Sequence, residues 1–102
     1  MKSVVIAGYV RSPFHFANKG GLARVRPDDV AAQVVKELVA RSKLDPALIE
    51  DLILGCAFPE GEQGLNLARL VVLLARLPQC VAGQTINRFC GSSMQAIHSA
   101  AG

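Results

Sequence analysis

The chain has 102 residues, of which 51% are hydrophobic and 19% are charged, and its formal net charge at pH 7 is +3. This composition predicts one globular domain with a core and excludes a disordered polar chain. The basic residues are spread along the sequence and form no run of like charge, which argues against nucleic-acid binding. The small positive excess is compatible with an anionic ligand, although a solvated surface is the simpler explanation.

The cysteines and the hydropathy of the sequence indicate in which cellular compartment the protein works and whether the chain crosses a membrane. The cysteines Cys56, Cys80 and Cys90 are odd in number and have no metal-binding spacing, so we expect neither a disulfide framework nor a zinc site. Reduced thiols favour an intracellular protein, which we expect in the cytoplasm. The N-terminal apolar run lacks the features of a signal peptide, and no apolar run approaches the ~20 residues of a membrane span.

The first strand–helix unit is predicted from two different periodicities. Residues 3–9 are apolar and β-branched, which predicts a buried strand, and a long loop with prolines and glycines follows it. Apolar residues at helical spacing then predict a helix over residues 28–43. Asp28 and Asp29 stand at its start, where carboxylates suit the free backbone N–H groups.

The second unit repeats this order of strand and helix. Residues 49–58 contain a predicted strand that runs into Gly55, and Asn66 is predicted to cap a helix that ends at Pro78. A third strand is predicted over residues 85–89. The alternation of strand and helix favours an α/β domain with a mostly parallel sheet and helical crossovers.

The third unit carries the candidate nucleophile, Cys90. A strand over residues 85–89 and a helix over residues 91–101 place Cys90 at the corner between them. The free N–H groups and partial positive charge of a helix N-terminus stabilise a thiolate, and Gly91 is expected to allow a tight turn and close approach of a substrate. The same pattern is compatible with a small buried thiol, the usual role of a free cysteine.

Three stretches of the sequence resemble the thiolase family. Residues 87–96, NRFCGSSMQA, resemble its nucleophile motif, in particular that of the degradative 3-ketoacyl-CoA thiolases. Residues 11–14, RSPF, resemble the family's sequence after the first strand, and Gly55 with residues 66–69 resembles its next loop and helix. The resemblance extends over the whole chain.

The resemblance implies a fold and a division into domains. The implied fold is α/β and thiolase-like, an incomplete first half-domain (βαβαβα) of a five-layer αβαβα architecture. Residues 1–102 are then the N-terminal part of the thiolase N-terminal domain, incomplete at its C-terminal end. Leu65 and Leu67 depart from the residues that are usual in the family, and neither belongs to the nucleophile motif.

The resemblance also implies an acyltransferase reaction in fatty-acid β-oxidation. Cys90 would attack the 3-keto carbon of a 3-ketoacyl-CoA, acetyl-CoA would leave, and CoA would remove the acyl group from the thioester on Cys90. The backbone N–H of Cys90 is expected to donate to the oxyanion. The family's Gly-His-Pro histidine and second cysteine are not found in residues 1–102, which are therefore expected to be inactive alone. CoA is a substrate, and no metal or bound cofactor is expected.

Two other functions remain open at this point. A biosynthetic acetoacetyl-CoA thiolase shares the nucleophile and runs the condensation, although Ser93 and Met94 favour the degradative type. A thiolase-like protein that binds acyl chains without catalysis is the third possibility. In each case we expect acyl-CoA or CoA ligands and a homo-oligomer, a dimer or tetramer, or membership of a β-oxidation complex.

The remaining titratable residues are weaker candidates. His98 follows Cys90 by eight residues, or ~12 Å along a helix, so it is expected to be a packed or surface residue that does not reach the sulfur. His15, Glu60 and Glu62 are expected to be solvated loop residues.

The roles of the remaining thiols and of three arginines are less defined. Cys56 and Cys80 are expected to be core or loop thiols. Arg24, Arg69 and Arg88 are left open between CoA phosphates, a neighbouring subunit and solvent.

Overall fold

The computed structural model describes residues 2–102, which form a two-stranded parallel sheet with helices packed against it. The strands and α-helices, in chain order, are α1 Pro27–Ser42, β1 Asp51–Gly55, α2 Leu67–Leu74, β2 Ala82–Ile86 and α3 Ser92–Ala101. Short 3-10 helices cover Pro46–Leu48, Gly61–Gln63 and Phe89–Gly91. None of the helices described is both long and apolar enough to cross a membrane.

The parallel pairing of β1 with β2 confirms the predicted crossover through α2. The register runs from Asp51 opposite Ala82 to Gly55 opposite Ile86. The N–H of Cys56 extends the ladder by donating to the carbonyl of Ile86 at 2.9 Å. Both strands therefore end at the same edge of the sheet, and the chain leaves β2 there towards Cys90.

Helix α2 lies in the centre of the core. Val71 and Val72 of α2 are completely buried, as is Val81 before β2. A Cβ atom on Gly83 would lie 2.6 Å from the backbone nitrogen of Arg69, so only glycine lets β2 lie this close to α2. The apolar face that helical spacing predicts for α2 is confirmed at Val71 but not at Leu74, which is exposed, and α1 covers another side of α2.

Asn66 connects the start of α2 to β2. Its side-chain oxygen accepts from the N–H of Arg69, which confirms the predicted N-cap. The same oxygen accepts from the hydroxyl of Thr85 at 2.8 Å, and the Asn66 amide donates to the carbonyl of Gly83 at 2.8 Å. The helix ends at Leu74, before the predicted stop at Pro78.

The start of α1 is stabilised by an ion pair between a buried carboxylate and a half-exposed arginine. Asp28 is buried and accepts two hydrogen bonds from the Arg26 guanidinium, at 3.0 and 2.9 Å. These hydrogen bonds hold the pKa of the Asp28 carboxyl below its usual value, against the opposing effect of burial. The N-cap position itself is Arg26, whose side chain makes no capping bond, so the carboxylate acts by ion pairing and by accepting the Asp29 N–H.

The predicted first strand, residues 3–9, is wrong for this structure. The segment has no regular secondary structure and no strand partner, and its apolar side chains are exposed, as in Val5 at 78% and Ile6 at 81%. A strand requires a partner for its backbone N–H and C=O groups. The β-branched residues favour a strand locally, but a strand forms only when it pairs with another segment of the chain. Among the residues described, β1 is paired only with β2.

Candidate active site

Cys90 lies in a short turn between β2 and α3. The strand ends at Ile86, a 3-10 helix covers Phe89–Gly91, and α3 begins at Ser92. The predicted third strand is thus shifted towards the N-terminus, because Asn87 and the residues after it fold into the turn. The position of Cys90 is that of a residue on a strand–turn–helix corner, as its sequence context predicted.

The bend of this corner falls on Phe89 and not on Gly91. Phe89 has a φ of 45°, in the left-handed region that residues with a side chain rarely adopt, and such a conformation costs of order 1–3 kcal/mol. Gly91 has a φ of −94°, so the tight turn that was expected at Gly91 lies at Phe89 instead. A Cβ at Gly91 would meet nothing closer than two Arg88 side-chain carbons at 3.9 Å, an ordinary van der Waals contact without a clash.

Hydrogen bonds from two side chains hold the strained turn. Asn87 accepts the N–H of Phe89 at 2.9 Å through its own side-chain oxygen. The hydroxyl of Ser92 accepts the N–H of Arg88 at 2.9 Å and donates to the carbonyl of Phe89 at 2.6 Å. The N–H of Gly91 donates to the carbonyl of Arg88 at 3.0 Å, which completes the 3-10 turn.

The sulfur of Cys90 belongs to an exposed side chain, whereas the thiol of Cys56 is buried in the core. Within the described part of the chain, the core-thiol interpretation therefore fits Cys56 and does not fit Cys90. Within residues 2–102, the hydrogen bonds around the turn leave the backbone N–H of Cys90 without a protein acceptor. Cys90 thus combines an exposed thiol side chain with a backbone N–H that has no protein acceptor, two of the groups that covalent acyl chemistry through an oxyanion uses.

The end of β1 supports the first turn of α3 through a backbone contact. A Cβ atom at Gly55 would lie 2.5 Å from the carbonyl carbon of Ser92 and 2.6 Å from the Cα of Ser93. Ala96 is buried one turn further along α3, while Ile97 is exposed. The helix that follows Cys90 is therefore packed closely against β1 and remains uncovered on its outer side.

Arg88 and Arg69, two of the arginines left open by the sequence, have partners within the chain. Arg88 donates to the side chain of Gln95 at 2.6 Å, which connects the turn to α3. Arg69 donates to the carbonyl of Val81 at 2.6 Å and to that of Gln79 at 3.0 Å. Both guanidinium groups thus stabilise the segments on either side of β2.

The other candidate side chains are not gathered around Cys90 by any contact. His98 is exposed on α3 and His15 is exposed in the long loop, while Glu60 is exposed and Glu62 lies 3.7 Å from Arg26. Arg24 and Cys80 are exposed as well. No group of three or more His, Cys, Asp or Glu residues is arranged to hold a metal ion in the described part of the chain.

Sequence reasoning missed Ser92, Asn87 and Gly55 as residues that support the turn. A signal was present for the first two, since serine and asparagine side chains commonly bond to nearby backbone groups in turns and at helix starts. No local signal identified the contact of Gly55 with α3, because the two segments are far apart in the sequence.

Comparison with known proteins places the chain in a family. Residues 4–102 match the sequence profile of the family described as thiolase, N-terminal domain. The chain is 52% identical over 100 residues to the 3-ketoacyl-CoA thiolase of Acinetobacter baylyi and 48% identical over 101 residues to that of Saccharophagus degradans. Each of these alignments covers 98% of this chain and 26% of the relative.

A solved structure agrees with these sequence matches. The crystal structure of the Bacillus anthracis acetyl-CoA acetyltransferase superposes with a TM-score of 0.85 at 41% identity, covering 95% of this chain and 24% of that chain. The chain thus spans about a quarter of the length of the relatives it matches. The predicted α/β, thiolase-like fold class is confirmed, and the chain belongs to the thiolase family, with residues 4–102 corresponding to its N-terminal domain.

Proposed function

We propose that the full-length protein is an acyltransferase that cleaves 3-ketoacyl-CoA with CoA, as in fatty-acid β-oxidation. The observation that carries the proposal is an exposed Cys90 on the strained corner before α3, in a chain about half identical to proteins named 3-ketoacyl-CoA thiolase. Residues 1–102 then form part of the family's N-terminal domain and are inactive by themselves, because the histidine and second cysteine that the family resemblance implies lie outside them.

In the first half-reaction the Cys90 thiolate attacks the 3-keto carbon of the substrate. The bond between carbons 2 and 3 breaks, the electron pair stays on the acetyl-CoA fragment as an enolate, and a proton donor converts this to acetyl-CoA. The acyl group remains on the sulfur as a thioester. The N–H of Cys90, which has no protein acceptor within residues 2–102, supports a role as donor to the oxyanion of the thioester on Cys90.

In the second half-reaction the thiolate of free CoA attacks the thioester carbonyl. The carbon–sulfur bond to Cys90 breaks, an acyl-CoA two carbons shorter leaves, and the Cys90 thiolate is restored. CoA serves as substrate throughout, and the mechanism requires no metal or bound cofactor. We also propose that the protein is cytoplasmic and forms a homo-oligomer or belongs to a β-oxidation complex. The reaction itself requires neither property.

The acyl-enzyme provides the direct test of this function. Full-length protein incubated with a 3-ketoacyl-CoA in the absence of free CoA is expected to gain the acyl mass on the peptide that contains Cys90. The exposed Cys80 serves as the control thiol and is expected to stay unmodified. Acylation of both thiols to the same extent, or of neither, would contradict the proposal.

A biosynthetic acetoacetyl-CoA thiolase is the second candidate function. The observation that favours it is the match to a structure named acetyl-CoA acetyltransferase at 41% identity. Turnover of the full-length protein with substrates of increasing chain length separates the two. Activity confined to the four-carbon acetoacetyl-CoA supports the biosynthetic enzyme, and activity with longer 3-ketoacyl-CoA substrates supports the degradative one.

A further inference from the structure

We propose that Ser92 is a positioning residue that orients Cys90 through the two residues preceding it; this rests on the proposed role of Cys90 as nucleophile. Ser92 is only 4% exposed, although it lies two residues from the exposed Cys90. Burial of a hydroxyl group is costly unless its hydrogen-bonding capacity is used. The partners of this hydroxyl therefore indicate what it does.

Both bonds of the Ser92 hydroxyl are made to the turn that contains Cys90. Its oxygen accepts from the N–H of Arg88 at 2.9 Å, and its single hydrogen is directed to the carbonyl of Phe89 at 2.6 Å, because a carbonyl oxygen only accepts. With that hydrogen engaged, Ser92 does not serve the sulfur as an acid. Its effect on Cys90 is transmitted by the backbone.

The bond to Phe89 controls the direction of the Cys90 N–H. The carbonyl of Phe89 and the N–H of Cys90 belong to one planar peptide group, in which they point in opposite directions. Holding the carbonyl towards Ser92 therefore aims the N–H away from it, on the side where no protein acceptor is found among residues 2–102. The same peptide fixes the Cα of Cys90, from which the side chain extends, so the Ser92 hydroxyl positions both the oxyanion donor and the point where the sulfur is attached.

The turn requires such support because of the conformation of Phe89. Its φ of 45° is not held by local preference, and its two polar backbone groups are bound by Asn87 on one side and Ser92 on the other. The backbone N–H of Ser92 also donates to the Phe89 carbonyl. Removal of the hydroxyl therefore loosens the peptide without releasing it, which leads us to expect a moderate loss of rate and a folded protein.

The test compares Ser92→Ala with Ser99→Ala in the full-length protein. Both serines belong to α3, but Ser99 is exposed, lies outside the nucleophile motif, and its side chain takes no part in the hydrogen bonds of the turn. With 3-ketoacyl-CoA and CoA, S92A is expected to lower kcat roughly tenfold while KM changes less than about twofold, because the reacting groups are misplaced and the binding surface is kept. S99A is expected to stay within about twofold of the parent in both constants.

Two further variants decide between the possible outcomes. Ser92→Thr keeps the hydroxyl and is expected to retain at least about a third of the parent kcat. Equal kcat values for S92A and S99A, with Cys90→Ser inactive, would overturn the positioning role. A fully active Cys90→Ser would overturn the proposed function itself. If circular dichroism shows that S92A is unfolded, the kcat of S92T tests the positioning role instead. A folded S92T whose kcat is near or below a tenth of the parent value would overturn the proposal.

Discussion

Replacement of Gly55 by alanine is the most direct test of how β1 supports the corner that carries Cys90. The new Cβ would lie 2.5 Å from the carbonyl carbon of Ser92 and 2.6 Å from the Cα of Ser93, where an ordinary contact is 3.4 Å or more. These are backbone atoms, so no rotamer change relieves the clash, and the first turn of α3 has to move by about 1 Å.

The displacement has a cost in stability that can be bounded. Insertion of one methyl group into a tightly packed site typically costs about 1–3 kcal/mol, and a small gain from the reduced entropy of the unfolded chain offsets part of it. For a domain of this size that corresponds to a Tm lower by roughly 5–15 °C. In the full-length protein the same shift misplaces Cys90, and we expect kcat to fall about a hundredfold.

Thermal unfolding followed by circular dichroism measures the first effect, with Gly91→Ala as the matched control. Gly91 has a negative φ, and no atom of a non-adjacent residue lies closer than 3.9 Å to the point that a Cβ would occupy. The same substitution is therefore expected to leave Tm unchanged or slightly raised. If Gly55→Ala unfolds at the same temperature as the parent, the close contact between β1 and α3 does not constrain the turn, and the reasoning is refuted.

Three other predictions follow from the core, the ion pair and the exposed N-terminal segment. Val71→Ala removes a completely buried side chain and is expected to lower the free energy of unfolding by about 2–3 kcal/mol in urea titration, whereas Val5→Ala at an exposed site changes it by less than about 0.5 kcal/mol; equal effects would contradict the assigned core. Because Arg26 lowers the pKa of Asp28 in the folded state, the stability that this carboxyl contributes is present above about pH 4 and is lost as pH falls through the lower folded value. Asp28→Asn is therefore expected to lose stability at pH 7 and to show a smaller further loss on acidification than the parent, and identical acid-side slopes would contradict this. Finally, the exposed apolar residues 3–9 are expected to make residues 1–102 self-associate, so a monomer at all concentrations in sedimentation velocity would contradict this expectation.

The success and failure of the sequence predictions follow from the range of the interactions concerned. Helical periodicity and the preference of asparagine for an N-cap are local, and they correctly indicated α2 and its cap at Asn66. The strand pattern of residues 3–9 is also local, but whether that segment pairs depends on another strand. The same distinction explains why Gly91 was assigned the turn that Phe89 makes: the conformation of Phe89 is maintained by bonds to Asn87 and Ser92.

By itself, the sequence determined that this is an α/β chain of the thiolase type with Cys90 between a strand and a helix, since residue periodicity and a ten-residue motif are properties of adjacent positions. Only the tertiary structure decided that the Cys90 side chain is exposed within residues 2–102, that Ser92 closes the turn around it, and that Gly55 lies against the first turn of α3. The physical reason is that burial, hydrogen-bond direction and close backbone contact depend on which distant segments meet, and residue order alone does not specify those distances.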